Sequence, residues 1–165
     1  MSSRSKQHMK FCWKTQILLL NPKMVLYTFR MGFGTKSGRL KCLWGFATFV
    51  WRLLHDSLPT MLNLKNRGIG LQSHCPLCES EEESATHLFL LCPFARACWH
   101  GSTLAIHSSD FQNIIVQQWV AQLLLRRNTK EEAAMEYMQG IFINLWAIWK
   151  HRNLVVHEGK DPNPI

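Results

Sequence analysis

The amino-acid sequence predicts a mostly α-helical fold, and three observations lead to this prediction. Apolar residues recur at helical spacing in several segments after residue 43. No segment shows the sustained alternation of apolar and polar residues that is typical of a strand. Three cysteines and one histidine lie between residues 75 and 92 at a spacing typical of zinc sites. We therefore predict a small helical domain built around one structural zinc knuckle.

Two helices are predicted before the cysteine-containing segment at residues 75–92. The segment "LWGFATFVWRLLHDSLP", which starts at Leu43, places apolar residues on one helical face, and Pro59 imposes a break. A short second helix is predicted within "PTMLNLKNRG". Thr60 lies near its start, and Gly68 occupies the position that commonly follows a helix C-terminus.

Three further helical segments are predicted after residue 92, the last position of the zinc-type spacing. "PFARACWHG" suits one or two helical turns. "DFQNIIVQQWVAQLLLRRN" has Asp110 at its start and two arginines at its end, which suits the helix dipole. The last segment has Thr129 as a predicted N-cap and Glu132 three residues later, the spacing of a capping box. A wide apolar face follows, and Gly159 ends this helix.

The positive charge of the chain is concentrated at its N-terminus. Residues 1–43 contain nine lysines and arginines and no acidic residue, whereas the rest holds ten of the 19 basic residues and all 11 acidic ones. This asymmetry predicts a basic N-terminal arm or linker at residues 1–42. The arm precedes the predicted domain, at 43–160, and a tail, at 161–165.

The basic arm is a candidate for binding RNA or DNA. A solvated, disordered tail and an organelle transit peptide are alternatives that the sequence leaves open. The candidate nucleic-acid contacts are Arg4, Lys6, Lys10, Lys14, Lys36, Arg39 and Lys41.

The candidate metal ligands are Cys75, Cys78, His87 and Cys92. The first two are separated by two residues, and a tight turn lets such a pair bind one ion. His87 and Cys92 would lie about 140° apart on an unbroken α-helix. Pro93 disfavours helical geometry at the residue before it, so the sequence contains the break that would let both residues reach one ion.

Three cysteines and one histidine complete a tetrahedral set, which predicts one structural zinc ion and no catalysis by this metal. A redox Cys-x-x-Cys pair and ordinary thiols are the alternatives. His74 and His100 flank the set as alternative ligands. The remaining cysteines are expected to be small buried hydrophobic residues: Cys12, Cys42 and Cys98.

Four acidic residues lie in the loop between the ligand pairs. We expect Glu79, Glu81, Glu82 and Glu83 to form a solvated loop rather than a carboxylate active site, because an active site requires carboxylates that converge in a pocket. No arrangement of serine, cysteine, histidine and aspartate indicates a hydrolase. The sequence therefore provides no candidate catalytic residue.

Three segments carry a family resemblance: "FVWRLLHDSLPTMLNLKNRGI", "CPLCESEEESATHLFLLCPFARACW" and "NLWAIWKHRNLVVHEGK". Together they resemble the reverse transcriptase zinc-binding domain of plant non-LTR (LINE-type) retrotransposons over residues 43–160. The resemblance implies zinc at the same four ligands and a position between a polymerase and a ribonuclease H-like domain. The usual Pro-Pro-Lys lead-in is replaced here by "KCLWGFATFVW", so residues 1–45 depart from the family pattern.

The sequence lacks the residues of the catalytic domains. The Tyr/Phe-x-Asp-Asp motif of a polymerase is absent from the sequence. Only two aspartates, Asp110 and Asp161, follow the zinc segment, so the carboxylate cluster that a metal-dependent nuclease requires is also absent. We therefore expect no enzyme, but a noncatalytic zinc-binding module of a retroelement-derived protein that assists nucleic-acid engagement. A structural or protein-interaction domain that binds neighbouring retroelement domains, or an inert retroelement remnant, is the alternative.

The sequence also predicts where such a module resides. No apolar run approaches the roughly 18 residues needed to span a membrane, and no early segment has the character of a signal peptide. We expect an intracellular protein of the nucleus or cytoplasm, without a membrane or small-molecule partner.

Overall fold

The computed structural model describes residues 40–70, 72–107, 113–125 and 132–162. At 40–44, 123–125 and 132–136 it describes the backbone alone. The regular secondary structure in the described ranges is helical. No strand occurs in these ranges, where the pairing of His74 with Glu82 is an isolated bridge. The predicted mostly helical fold is confirmed. The elements are α1 (Leu40–Leu54), α2 (Met61–Asn66), a π-helical turn (His87–Leu91), α3 (Pro93–Gly101), α4 (Val116–Leu125) and α5 (Glu132–Glu158).

The chain divides into two compact units. The described part of the first unit consists of residues 40–57 and 117–125, which include α1 and nearly all of α4. The second unit takes in residues 58–116 and α5. All four predicted metal ligands belong to the second unit.

Helix α1 begins at Leu40, three residues before its predicted start, and ends at Leu54. From residue 45 onward, where its side chains are described, the buried residues follow the predicted helical spacing: Ala47, Phe49, Val50, Leu53 and Leu54. The end is a Schellman motif, in which the Ser57 N–H donates to the Arg52 carbonyl at 2.8 Å and the Asp56 N–H to the Leu53 carbonyl at 3.2 Å. Asp56 takes the left-handed conformation, with φ of 48°, that glycine usually supplies.

Helix α4 begins later than the sequence predicted. Asp110, the predicted start, lies outside the described residues. The prediction of one helix from there is wrong for residues 113–115, which are not helical, and α4 begins at Val116. The Val116 N–H, one of the amides left without a helical partner, donates to Thr86 Oγ1 at 3.3 Å. Within the first unit, Gln117 Nε2 donates to Asp56 Oδ1 at 3.1 Å and ties the start of α4 to the end of α1.

Helix α2 has the two ends that its sequence predicts. Thr60 is the N-cap, and its side chain accepts the Asn63 N–H at 3.3 Å. Gly68 follows the C-cap with φ of 74°, and the Ile69 N–H donates to the Leu64 carbonyl at 2.9 Å. The left-handed conformation explains the glycine at this position.

The core of the second unit lies where the π-helical turn, α3 and α5 pack against one another. Phe89 of the turn lies 6.4 Å from Trp149 of α5 between ring centroids. Trp99 of α3 is 1 % exposed, and its Nε1–H donates to the Phe89 carbonyl at 2.7 Å. Trp99 is therefore a core residue.

Helix α5 supplies one long face to this core and ends at Glu158, before Gly159 with φ of 63°. The predicted N-cap Thr129 lies outside the described residues. None of the described helices combines the length and apolarity required to cross a bilayer. Among the α5 side chains that the structure describes, from residue 137 onward, the buried apolar ones are Met138, Ile141, Phe142, Leu145, Ile148 and Trp149.

A buried ion pair joins the metal loop to α5. Glu83 is fully buried and Arg152 is 2 % exposed. Arg152 Nε donates to Glu83 Oε1 at 2.8 Å, and Nη2 donates to Oε2 at 2.7 Å. Oε2 also accepts the Met61 N–H at 2.6 Å, at the positive N-terminus of α2. The expectation that Glu83 belongs to a solvated loop is thus wrong, because its carboxylate has a guanidinium and a helix N-terminus as partners.

We predict that Glu83→Gln destabilises the zinc-loaded protein by about 3–5 kcal/mol, because it leaves the Arg152 guanidinium buried without a counter-charge. Urea denaturation measures this change. The matched control is Glu82→Gln in the same loop. Glu82 is exposed and paired with Lys65 at 3.2 Å, so its loss should change stability little.

A double variant separates the ion pair from other effects at this position. Replacing both Glu83 and Arg152 by methionine should cost less than Glu83→Gln alone, because no charge is then left buried. Equal destabilisation by Glu82→Gln and Glu83→Gln would show that the buried pair has no special role.

Candidate metal centre

The first half of the site is a tight turn that presents Cys75 and Cys78. The Glu79 N–H donates to the Cys75 carbonyl at 2.7 Å and closes this turn. The backbone N–H of Leu77 is directed at the Cys75 sulfur, and that of Ser80 at the Cys78 sulfur. These donors stabilise negative charge on sulfur, which is the form that binds a metal.

The second half is a short helical segment that presents His87. Ser84 caps it, since the His87 N–H donates to Ser84 Oγ at 3.0 Å. From His87 to Leu91 the segment is π-helical, and the Cys92 N–H donates to the His87 carbonyl at 2.7 Å. This i→i+5 hydrogen bond brings Cys92 beside His87, which an α-helical turn would not do.

Cys92 stands between the π-helical turn and α3. Its backbone is extended, with φ of −56° and ψ of 133°, as expected for a residue that precedes proline. The predicted break in the helix is therefore present, with a π-helical turn added before it. The N–H groups of Phe94 and Ala95, in the first turn of α3, are directed at the Cys92 sulfur.

The four predicted ligands converge, with all ligand atoms within 4.8 Å of one another. Cys75 Sγ lies 3.8 Å from Cys92 Sγ, and Cys78 Sγ lies 3.3 Å from His87 Nε2. Two sulfurs bound at about 2.3 Å in a zinc tetrahedron lie about 3.8 Å apart, and a sulfur and a nitrogen lie about 3.6 Å apart. The donor set and its spacing therefore fit zinc.

The pKa values of Cys75, Cys92 and His87 reflect how close the ligand groups lie to one another. A hydrogen bond with Cys92, followed by burial, raises the pKa of Cys75 to about 12, and the same bond lowers the pKa of Cys92. Burial lowers the pKa of His87, but hydrogen bonds with Cys75 and Cys78 outweigh it and raise the pKa to about 9. Zinc binds thiolate and neutral imidazole, so its binding displaces the protons that these groups share.

The site is closed around the ligand atoms. Cys75, Cys92 and His87 are buried, and Cys78 is half-buried. Four protein ligands fill a tetrahedral zinc ion and leave no position for water or a substrate. The arrangement therefore suits a zinc ion that stabilises the fold.

The alternative ligands lie outside the site. His74 is exposed and pairs with Glu82 in the isolated bridge. His100 packs edge-on against His107, with ring centroids 5.6 Å apart. Cys98 is half-buried, and burial raises the pKa of its thiol. Within the described residues, the four predicted ligands form the one group of three or more metal-binding side chains.

The other predicted residues are placed as follows. Glu79, Glu81 and Glu82 are exposed, as expected of a solvated loop. Lys41 lies on α1, where the backbone alone is described. The other six candidate nucleic-acid contacts lie outside the described residues: Arg4, Lys6, Lys10, Lys14, Lys36 and Arg39. Cys12 also lies outside them, and the side chain of Cys42 is not described.

Sequence reasoning missed two roles in the acidic loop. Glu83 anchors the loop to α5, and Glu81 accepts a hydrogen bond from His87 Nδ1 at 3.1 Å. A signal for the first role was present, because Arg152 continues the buried face of Ile141, Leu145 and Ile148 at helical spacing. Arginine is almost never fully buried without a partner, so an arginine at a core position indicates a buried group that pairs with it.

Comparison with known proteins agrees with this geometry. The family model described as zinc-binding in reverse transcriptase matches residues 38–99, a range that includes all four ligands. No curated protein and no solved structure is similar enough to this chain to support a comparison. The matched segment and the cluster of three cysteines and a histidine together define a zinc-binding module with a single zinc site.

We predict that Cys75→Ser and Cys92→Ser abolish stoichiometric zinc binding and reduce the helical circular dichroism signal, because zinc binding contributes directly to folding. Zinc content and far-ultraviolet circular dichroism of the purified variants measure both effects. Cys98→Ser is the matched control and should retain one zinc ion per chain. Loss of zinc with an unchanged helical signal would contradict a role for the metal in folding.

Proposed function

We propose that this chain provides a noncatalytic zinc-binding module of a retroelement-derived, reverse transcriptase-related protein, and that the module assists the engagement of RNA or DNA. The match of residues 38–99 to the zinc-binding family of reverse transcriptases carries this proposal. The finer assignment to a plant non-LTR retrotransposon rests on the resemblance of three segments between residues 43 and 160.

A noncatalytic role is supported by the chemistry of the metal centre. A catalytic zinc ion needs an open coordination position, whereas the four side chains here complete a tetrahedron. The family match covers a zinc-binding domain and no polymerase or nuclease domain. The zinc ion would therefore act by stabilising the fold.

Engagement of nucleic acid is supported by the distribution of charge. Residues 1–43 carry nine basic and no acidic residues, whereas the remainder is close to neutral. A basic segment next to a module of a polymerase-related protein suits contact with phosphates, which is largely independent of base sequence. The proposed contacts are the seven named lysines and arginines of the arm.

We predict that the full chain binds single-stranded RNA with a marked salt dependence. Each phosphate contact contributes about 0.7 to the slope of log affinity against log salt concentration for single strands, so seven contacts give a slope of about −5. Replacing all seven arm residues by glutamine should bring the slope close to zero. Fluorescence anisotropy at several salt concentrations measures this change.

The control replaces exposed basic residues of the described body by glutamine: Arg67, Arg96 and Lys150. This variant removes charge without altering the arm and should keep most of the slope. Equal losses of slope in the two variants would contradict binding by the arm. Absence of RNA binding by the unaltered chain at low salt would contradict nucleic-acid engagement altogether.

A protein-interaction role is the second candidate. Its support is the near-neutral charge of the body. Its test uses two exposed apolar side chains on α5: Tyr137 is 47 % exposed and Ile143 is 52 % exposed. Under this alternative, Tyr137→Ser with Ile143→Ser would abolish binding to a neighbouring retroelement domain and leave zinc content unchanged.

A further inference from the structure

Glu81 contacts both halves of the metal site. Its backbone carbonyl accepts the Cys75 N–H at 2.7 Å, on the side of the cysteine turn. Its carboxylate Oε2 lies 3.1 Å from Nδ1 of His87, on the side of the helical segment. One residue thus contacts one ligand through its main chain and another through its side chain.

The two contacts of the His87 ring determine which nitrogen can bind zinc. An ionised carboxylate oxygen accepts hydrogen bonds and cannot donate them, so Nδ1 beside Glu81 carries the proton. In the neutral imidazole that binds zinc, Nε2 then has the free lone pair, and it is the atom that lies 3.3 Å from Cys78 Sγ among the ligands. The hydrogen bond to Glu81 also fixes the rotation of the ring.

We propose that Glu81 is a positioning residue of the zinc site, which fixes the tautomer and orientation of His87 so that Nε2 binds the metal. The Glu81 side chain is 70 % exposed, so it adds little to core packing, and its effect should be on the metal site. Outer hydrogen-bond partners of this kind typically change metal affinity about 10- to 100-fold. Because Glu81 is exposed, we expect a change in zinc affinity at the lower end of this range, about tenfold.

The test uses the full chain and zinc itself as the probe. We compare Glu81→Ala, Glu81→Gln and the control Glu79→Ala, which removes the same charge from the same exposed loop. Competition with a chelator gives the zinc affinity of each variant. Long-range ¹H–¹⁵N correlation spectra of the zinc-loaded proteins show which nitrogen of His87 is protonated and which binds the metal.

We expect Glu81→Ala to weaken zinc binding about tenfold and Glu79→Ala to leave it unchanged. Glu81→Gln should restore most of the affinity, because its side-chain oxygen can still accept the Nδ1–H. All three variants should keep the helical signal of the unaltered chain when saturated with zinc. A role in packing alone would change that signal and would not be rescued by glutamine.

Two results would overturn the proposal. The first is a Glu81→Ala variant that binds zinc as tightly as Glu79→Ala. The second is a spectrum of the unaltered chain in which Nδ1 of His87 binds the metal and Nε2 carries the proton. Neither result bears on nucleic-acid engagement, so this inference can fail while the proposed function stands.

Discussion

The convergence of four ligand atoms on one metal position is the constraint on which the second unit depends. The ligands come from a tight turn and from the end of a helical segment, and the loop between them carries three exposed carboxylates. Such a loop has little apolar surface to bury, so the hydrophobic effect alone holds it weakly. Zinc binding stabilises the folded loop, because the binding free energy becomes part of the folding free energy.

The metal site is joined to the rest of the unit by groups next to the ligands. Glu83, four residues before His87, binds Arg152 of α5 and the N-terminus of α2. The π-helical turn that carries His87 also buries Phe89 against Trp149, and its carbonyl at Phe89 accepts the Trp99 indole N–H. Because these contacts lie within a few residues of the ligands, closing the zinc site also fixes the positions from which the core packs.

How much of this could be predicted depends on the range of each interaction. The zinc ligands and the ends of α2 depend on neighbours a few residues away, such as Pro93, Thr60 and Gly68, so the sequence predicts them. The burial of Glu83 depends on Arg152, 69 positions later, and nothing local distinguishes Glu83 from Glu82. The start of α4 at Val116 likewise involves a hydrogen bond to Thr86, 30 positions earlier, and no local sequence pattern distinguishes the π-helical turn from an α-helical one.

X-ray absorption at the zinc edge measures whether three sulfurs and one nitrogen surround the zinc ion in a closed site. For the zinc-loaded chain, we expect three sulfur neighbours at about 2.3 Å and one nitrogen neighbour at about 2.0–2.1 Å. A spectrum with more than one nitrogen or oxygen neighbour, with no imidazole scattering, or with fewer than three sulfurs, would contradict a closed site. The metal centre would then have an open position, and its purely structural role would have to be abandoned.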